Sequence, residues 1–438
     1  MARPNIVYLH AHDAGRYIQP YGYAVATPHL MRLAEQGMLF HQAFCTAPTC
    51  SPSRAGLLTG QSPHVTGMLG LSHRGFSLTE PSHLLPHMLR EAGYRTILAG
   101  IQHVARPDER PTLGFDEFVD PDRHEADLVA AAVEQRCAQG LVEPFYLDVG
   151  CNEPHRDFPV PEDDKSAHYV RPPEPLPNTP ETRRDMVGYA RLAARFDEMV
   201  GRTLAALEEA GVADRTLIIC TTDHGVAFPL MKCNLTDAGL GVLLMLRGPG
   251  IEPGTASDAM VSHLDIYPTI CDMLGLDPPD WLEGHSLTPV IRGRASQVRD
   301  ELFGEVTYHA AYEPKRCVRT PRHKYIRRYG DRDLPVLPNC DEGLSKDVLL
   351  AHGWAQRPQP REALYDLMLD PNERDNLIDD PAMAVVLGEM RQRLDGWMRR
   401  TQDPLLQGDV PLPPGGQAND PAGRSPNEPV FTAETPRE

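Results

Sequence analysis

The 438-residue sequence has no apolar run of transmembrane length, no Cys-x-x-Cys pair and no surplus of positive charge. The first absence argues against a membrane span and the second against a structural zinc site. The third, a formal net charge of −18, argues against non-specific binding to nucleic acid or to anionic membranes. A polyanionic substrate would need a local basic pocket. The start, Met1-Ala2-Arg3-Pro4-Asn5, lacks the apolar core of a signal peptide, so a cytoplasmic location is expected. Nine cysteines, odd in number and without framework spacing, fit mostly free thiols in a reducing compartment. No internal repeat is visible.

What is present is ordinary in bulk, with 41% hydrophobic and 24% charged residues, and the length suits one main domain with a smaller companion. Four apolar, strand-like segments each run into residues of catalytic type, as in a largely parallel sheet whose ligands gather at the carboxyl ends of its strands. Asn5–Leu9 delivers His10, His12 and Asp13; Thr96–Ala99 delivers His103. Pro144–Val149 delivers Asn152, Glu153, His155 and Arg156, and Thr216–Cys220 delivers Asp223 and His224. Helical periodicity over His29–Gln36, Leu84–Ala92, Thr182–Ala210 and His263–Leu274 supplies crossovers, stopped by Gly37, Gly93, Gly211 and Gly275. A Pro-rich loop, Pro159–Pro180, could border a substrate cleft. The expected division is a catalytic α/β domain over 1–300, an antiparallel α+β subdomain over 301–402 closed by a helix near Ala382–Met398, and a Pro/Gly-rich tail or wrapping arm over 403–438.

The most informative stretch is Cys50-Ser51-Pro52-Ser53-Arg54, followed by Leu57-Leu58-Thr59-Gly60. Pro48 and Pro52 disfavour helix before Ser53, and the residues after it favour helix, so Cys50 is expected at a loop-to-helix junction facing free N–H groups. Arg54 adds a forked contact suited to a sulfate or phosphate. The plain alternative is a buried cysteine ahead of an ordinary helix. Asp13 and Asp223, at the ends of two strands, are the carboxylates that a metal between strand ends requires.

Cys-x-Pro-x-Arg with its Leu-Thr-Gly extension resembles the signature of the type I sulfatases, formylglycine-dependent members of the alkaline-phosphatase-like superfamily. Further similar segments follow in the same order: Arg3-Pro4-Asn5-Ile6, His103-Val104, Glu153-Pro154-His155-Arg156, Thr222-Asp223-His224-Gly225, Lys232 through Leu235, and Leu364-Tyr365-Asp366 with Asp370-Pro371-Asn372-Glu373. Gly67-Met68-Leu69-Gly70-Leu71, Pro177-Asn178-Thr179-Pro180 and Val226-Ala227-Phe228-Pro229 look like the heparan N-sulfatase (sulfamidase) branch.

The resemblance implies a large, mostly parallel sheet flanked by helices, with a smaller C-terminal antiparallel sheet, and hydrolysis of a sulfate ester or sulfamate of a small molecule or saccharide. It implies that a formylglycine-generating enzyme converts Cys50 to formylglycine, whose hydrate attacks sulfur. Arg54, His155 and Lys232 would hold the sulfuryl oxygens, His155 or Lys232 would protonate the leaving atom, and His103 would take the proton as the sulfated intermediate collapses. One divalent metal would sit on Asp13, residue 50, Asp223, His224 and His12. A homo-oligomer is compatible with the tail.

Two departures stand out. His12-Asp13 and Asp223-His224 replace the family's Asp-Asp and Asp-Asn, which puts imidazole where hard oxygen is usual and favours manganese, iron or zinc over the family's calcium. Ile101 occupies the position of a family lysine, and Gln102 or Arg106 would have to compensate. These departures keep two alternatives open: a phosphonate monoester hydrolase or phosphodiesterase of the same superfamily, and an inactive relative that binds sulfated sugars.

Overall fold

The computed structural model describes residues 3–162 and 165–434. Met1 and Ala2, residues 163–164 of the Pro159–Pro180 loop, and the last four residues of the expected tail lie outside them. No helix among the described residues is long and apolar enough to cross a membrane.

The main sheet contains β1 (Asn5–Ala11), β2 (Met38–Phe44), β3 (Arg95–Gly100), β4 (Glu117–Val119), β5 (Phe145–Gly150), β6 (Thr216–Thr222), β7 (Leu244–Arg247) and β8 (Thr255–Ser262). Their spatial order is β4-β3-β5-β1-β6-β7-β2-β8, and every pairing is parallel except those that β7 makes with β6 and β2. Strand β1 is central, with β5 and β6 as neighbours, so the three strands carrying most of the chemical groups deliver them to one edge. Alternation along β1 sends Ile6 and Tyr8 to one core and Val7, Leu9 and Ala11 to the other. The second core is covered by the helices Ala126–Ala138 and Pro180–Glu209, whose Val129, Val133, Phe196 and Val200 are fully buried.

The four expected strands are present, three extended by two residues and Pro144–Val149 shifted by one to Phe145–Gly150, and three of the expected helices fall within two residues of their bounds. The fourth opens with a 3-10 turn at His263–Asp265 before Ile266–Leu274. Strands β2, β4, β7 and β8 and the helix Ala126–Ala138 were not anticipated. That helix does carry a stripe, Ala126, Val129, Ala130, Val133 and Cys137, all buried. Gly37 is needed for a different reason from a helix stop: a Cβ there would lie 2.2 Å from the Leu246 carbonyl oxygen.

The second sheet is antiparallel: β9 (Leu302–Tyr308), β10 (Tyr312–Arg319), β11 (His323–Arg328) and β12 (Glu362–Asp366), in the order β12-β11-β10-β9. Val318, Tyr325 and Leu364 pack against Leu387, Met390, Leu394 and Trp397 of the helix Ala384–Arg400. Beyond Asp403 the chain is a wrapping arm tied to the body. It forms a small ribbon from β13 (Gln417–Asn419) and β14 (Val430–Thr432). Arg74 donates to Asn419 Oδ1 at 2.9 Å, and Tyr308 donates to the Val410 carbonyl at 2.7 Å. Isolated apolar side chains also anchor it, with Leu405 and Val410 in the core of the second sheet and Ala418 in that of the first.

Candidate active site

The helix Cys50–Thr59 is buried at every residue, and Thr49 before it is extended, with φ −144° and ψ 140°. The turn into helix therefore comes at Cys50, the expected junction, although the helix includes Pro52, which was expected to delay it to Ser53. Pro52 sits in the first turn, where a missing N–H costs no helical hydrogen bond. Cys50 Sγ lies 3.4 Å from His224 Nε2 and 4.0 Å from Asp13 Oδ1. Burial pushes the thiol well above its ordinary pKa against the pull of Lys232, with Asp13 and Asp223 adding to the rise. The group stays a neutral thiol, a weak nucleophile.

Asp13 and Asp223 leave adjacent strands β1 and β6 and are locked together, since the Asp13 amide donates to Asp223 Oδ1 at 2.8 Å. The His224 amide donates to the same oxygen at 3.0 Å. Burial alone would raise Asp13, but Lys232, His155 and His224 outweigh it and hold the carboxyl well below the carboxylate range. In its neutral form the His224 ring carries its proton on Nδ1, which faces the Gly225 carbonyl at 2.9 Å, leaving a lone pair on Nε2. That lone pair faces Asp13 Oδ1 at 3.2 Å, and two acceptors at this distance call for a cation between them.

Donor atoms of His12, Asp13, Cys50 and Asp223 also lie within 4.8 Å of one another. The set fits a divalent metal. The His12 ring lies edge-on to that of His224, with centroids 6.5 Å apart, and its Nδ1 lies 2.8 Å from Asp13 Oδ1. Burial lowers His12 to about 4 against the pull of Asp223 and Asp13, so the ring is neutral.

The expected cations are placed unequally. Lys232 is buried, with Nζ 2.7 Å from Asp13 Oδ2, 3.0 Å from Asp341 Oδ2 and 3.4 Å from His155 Nε2. Burial would lower it, but Asp13 and Asp341 hold it well above the usual lysine value. Arg54 gives Nε and Nη2 to Asp223 Oδ2 at 3.2 and 3.0 Å, Nη2 also to the Ala11 carbonyl, and places Nη1 2.6 Å from His10 Nδ1. Its fork orients Asp223, with His10 in turn held by Asp148 at 2.9 Å. His155 is 35% exposed and has Nδ1 2.6 Å from the Arg156 carbonyl, so Nε2 is turned toward Lys232 and Asp13. His103 stands between His12 and His73, at 3.3 and 3.2 Å, and its donor nitrogen lies within 4.8 Å of Cys50 Sγ.

Several neighbours are spent on structure. Glu153 accepts from the Ala126 amide at the start of a helix. Gln102 holds the Val104 and Ala105 amides, and Arg106 pairs with Glu109, so neither replaces the lysine missing at Ile101. Arg156, delivered beside His155 by the third strand, pairs with Asp185 at 2.9 and 2.6 Å and lies over the Phe158 ring, so its charge is turned away from the site. Two residues at the site, His309 and Asp341, were not foreseen, and they belong to a region with no motif. His10, delivered with the first strand, serves to hold Arg54.

A Sulfatase family profile matches residues 4–276, more than half of the chain. The chain belongs to the sulfatase family. The N-sulphoglucosamine sulphohydrolase C-terminal profile matches residues 232–341, a span that runs from Lys232 to Asp341, the two partners of one ion pair. This sulfatase-family chain is 31% identical to N-sulphoglucosamine sulphohydrolase of Homo sapiens, over 92% of the chain and 92% of that protein. Among solved structures it resembles a 2-O GAG sulfatase, with a TM-score of 0.72 and 22% identity over 97% of this chain and 99% of that one. It also resembles phosphonate monoester hydrolase of Agrobacterium radiobacter, with a TM-score of 0.71 and 22% identity over 92% and 97%. The fold is that of alkaline-phosphatase-like sulfatases, a large mostly parallel sheet beside a small antiparallel one, and the family makes the chain a hydrolase of sulfuric esters or sulfamates.

Proposed function

We propose that the chain hydrolyses a sulfate ester or sulfamate on a saccharide, after a formylglycine-generating enzyme has converted Cys50, with one divalent cation on Asp13, Asp223, His224 and residue 50, and His12 beside them. The observation that carries this reading is residue 50 itself: buried at a helix start, flanked by two carboxylates and His224, and within reach of the charge of Lys232. A formylglycine hydrate would supply the hydroxyl nucleophile that a neutral thiol does not. A bound divalent cation would offset the carboxylates and polarise the oxygens placed against it.

The chain's own groups then divide the work. Arg54 keeps Asp223 in place. Lys232 neutralises charge developing on the sulfuryl oxygens. His155 Nε2, 3.4 Å from the Lys232 ammonium, takes a proton from it and passes that proton to the departing oxygen or nitrogen. His103 takes the proton released near residue 50 when the product leaves. The imidazole of His224 favours manganese, iron or zinc over calcium.

The Asp223-His224 pair and the phosphonate monoester hydrolase fold support a second reading, in which a phosphonate monoester or phosphodiester is preferred. Mass spectrometry of the tryptic peptide Leu33–Arg54 should show the thiol-to-aldehyde loss at Cys50. Steady-state kinetics on one aryl group carrying sulfate, phosphonate or phosphodiester should rank sulfate highest in kcat/KM. An unmodified thiol in fully active protein would end the mechanism, and a higher value for phosphonate or phosphodiester would establish the second reading. Protein with neither formylglycine nor turnover would be an inactive binder of sulfated sugars.

A further inference from the structure

One wall of the catalytic hole comes from the C-terminal subdomain and has the wrong charge for a sulfate site. Asp341 places Oδ2 3.0 Å from Lys232 Nζ, and that oxygen is buried without an aligned hydrogen bond. The rest of the side chain is turned outward, at 21% exposure. Burial alone would raise it, but Lys232 and His155 hold the carboxyl down at about 2, so it is an anion at every working pH. His309 contributes a second unsatisfied atom, a buried Nδ1 without a partner, close enough to Lys232, Asp341 and His224 to feel their charges. An anion beside the sulfuryl hole repels a negatively charged leaving group and rewards one that offers N–H or O–H donors.

Asp341 is also held rigidly. Lys346 is 1% exposed and donates to the carbonyls of Leu337, Cys340 and Arg424 at 3.2, 2.8 and 2.9 Å. The Ser345 amide donates at 3.0 Å to Asp185, the residue that also binds Arg156. Gly343 passes so close to Arg156 that a Cβ there would meet Nη1 at 2.2 Å. Two buried cations thus fix the loop that carries one carboxylate, as a preorganised recognition group requires.

We propose that Asp341 is a specificity-determining residue that accepts a hydrogen bond from a donor next to the sulfuryl group on the leaving side, and so selects amino-sugar or hydroxyl-bearing substrates over bare aryl and carboxylate-bearing ones. The proposal rests on the sulfatase reading above. Its test is independent of turnover: calorimetric binding to Cys50→Ala protein with and without Asp341→Asn. N-sulfoglucosamine and glucose 6-sulfate serve as donor-bearing ligands, phenyl sulfate as a donor-free ligand, and a sulfated uronate as an anionic one.

Asp341→Asn should weaken the donor-bearing ligands by about tenfold or more, change phenyl sulfate by less than about threefold and strengthen the uronate. A loss confined to N-sulfoglucosamine identifies the sulfamate N–H, whereas loss for both sugars identifies hydroxyls. Equal weakening of all ligands, phenyl sulfate included, would mean that Asp341 only positions Lys232 and would overturn the proposal, as would no change or no binding of any sugar. Absence of sulfate turnover in the unmutated enzyme bears on the proposed reaction alone.

Discussion

At the seam between the two sheets, Arg316 gives Nε and Nη2 to Asp403 at 2.6 and 3.0 Å and Nη1 to the Val306 carbonyl, Thr307 and the Lys315 carbonyl, while Glu305 lies 3.4 Å away and takes His64 at 2.8 Å. All four side chains are buried, Arg316 and Asp403 satisfy each other through a two-pronged contact, and the Trp397 ring packs against His64, while Glu305 Oε2 and His64 Nε2 have no aligned hydrogen bond. The catalytic cluster buries as much charge but leaves it poised. Donor atoms of His12, Asp13, Cys50 and Asp223 converge within 4.8 Å of one another, an arrangement that suits a cation. Its backbone is strained too. Among the described residues six non-glycines have positive φ, and four of them are Asp13, His103, Leu230 and Cys233, on the loops that carry the site. Each such residue costs on the order of 1–3 kcal/mol, so the site is held by the rest of the fold, whereas the seam helps to hold the fold.

Substitutions should separate the two clusters. The largest effect is expected for Cys50→Ala, which should lower kcat/KM by on the order of 10⁴–10⁶-fold with an unchanged unfolding transition. Asp13→Asn should remove bound metal, read by elemental analysis, and about 10³-fold of activity, while costing less stability than any break in the seam. Asp403→Asn should do the opposite. Leaving Arg316 without its buried counter-ion should cost about 3–5 kcal/mol in urea unfolding, with near-normal kcat in the protein that remains folded. If Asp13→Asn destabilises as much as Asp403→Asn, the contrast between the clusters fails.

The smallest effect is a pH dependence. Burial lowers His64, but the charge and hydrogen bond of Glu305 outweigh it and leave the folded value above 6.5. A folded value above the unfolded one stabilises fully below about 6.5 and loses that contribution as pH rises through the folded value. Unfolding at pH 6 and pH 8 should show a difference on the order of 1 kcal/mol that disappears in His64→Gln.

The legible parts of this protein share a property: their chemistry is local in the chain. Asn5–Ala11 and Thr216–Thr222 are apolar segments ending in acids, and the helix Pro180–Glu209 announces itself with Thr179 at its cap and Pro180 at its first turn. Strand β2 was hidden because His41 and Gln42 interrupt its apolar run, and β7 because four residues carry too little period. The partner of Arg156 was not legible, because Asp185 lies 29 residues along the chain.

By itself the sequence determined the loop-to-helix junction at Cys50, the acids at the two strand ends, and the candidate histidines and lysine, because each residue type and its spacing within one segment already restricts the chemistry. Only the tertiary structure decided which charges meet. Lys232 is 219 residues from Asp13 along the chain, and it is the approach of β1, the Val226–Leu235 loop and the C-terminal subdomain that places its ammonium between Asp13 and Asp341. Coulombic energy depends on distance and burial, and neither can be read from residue order.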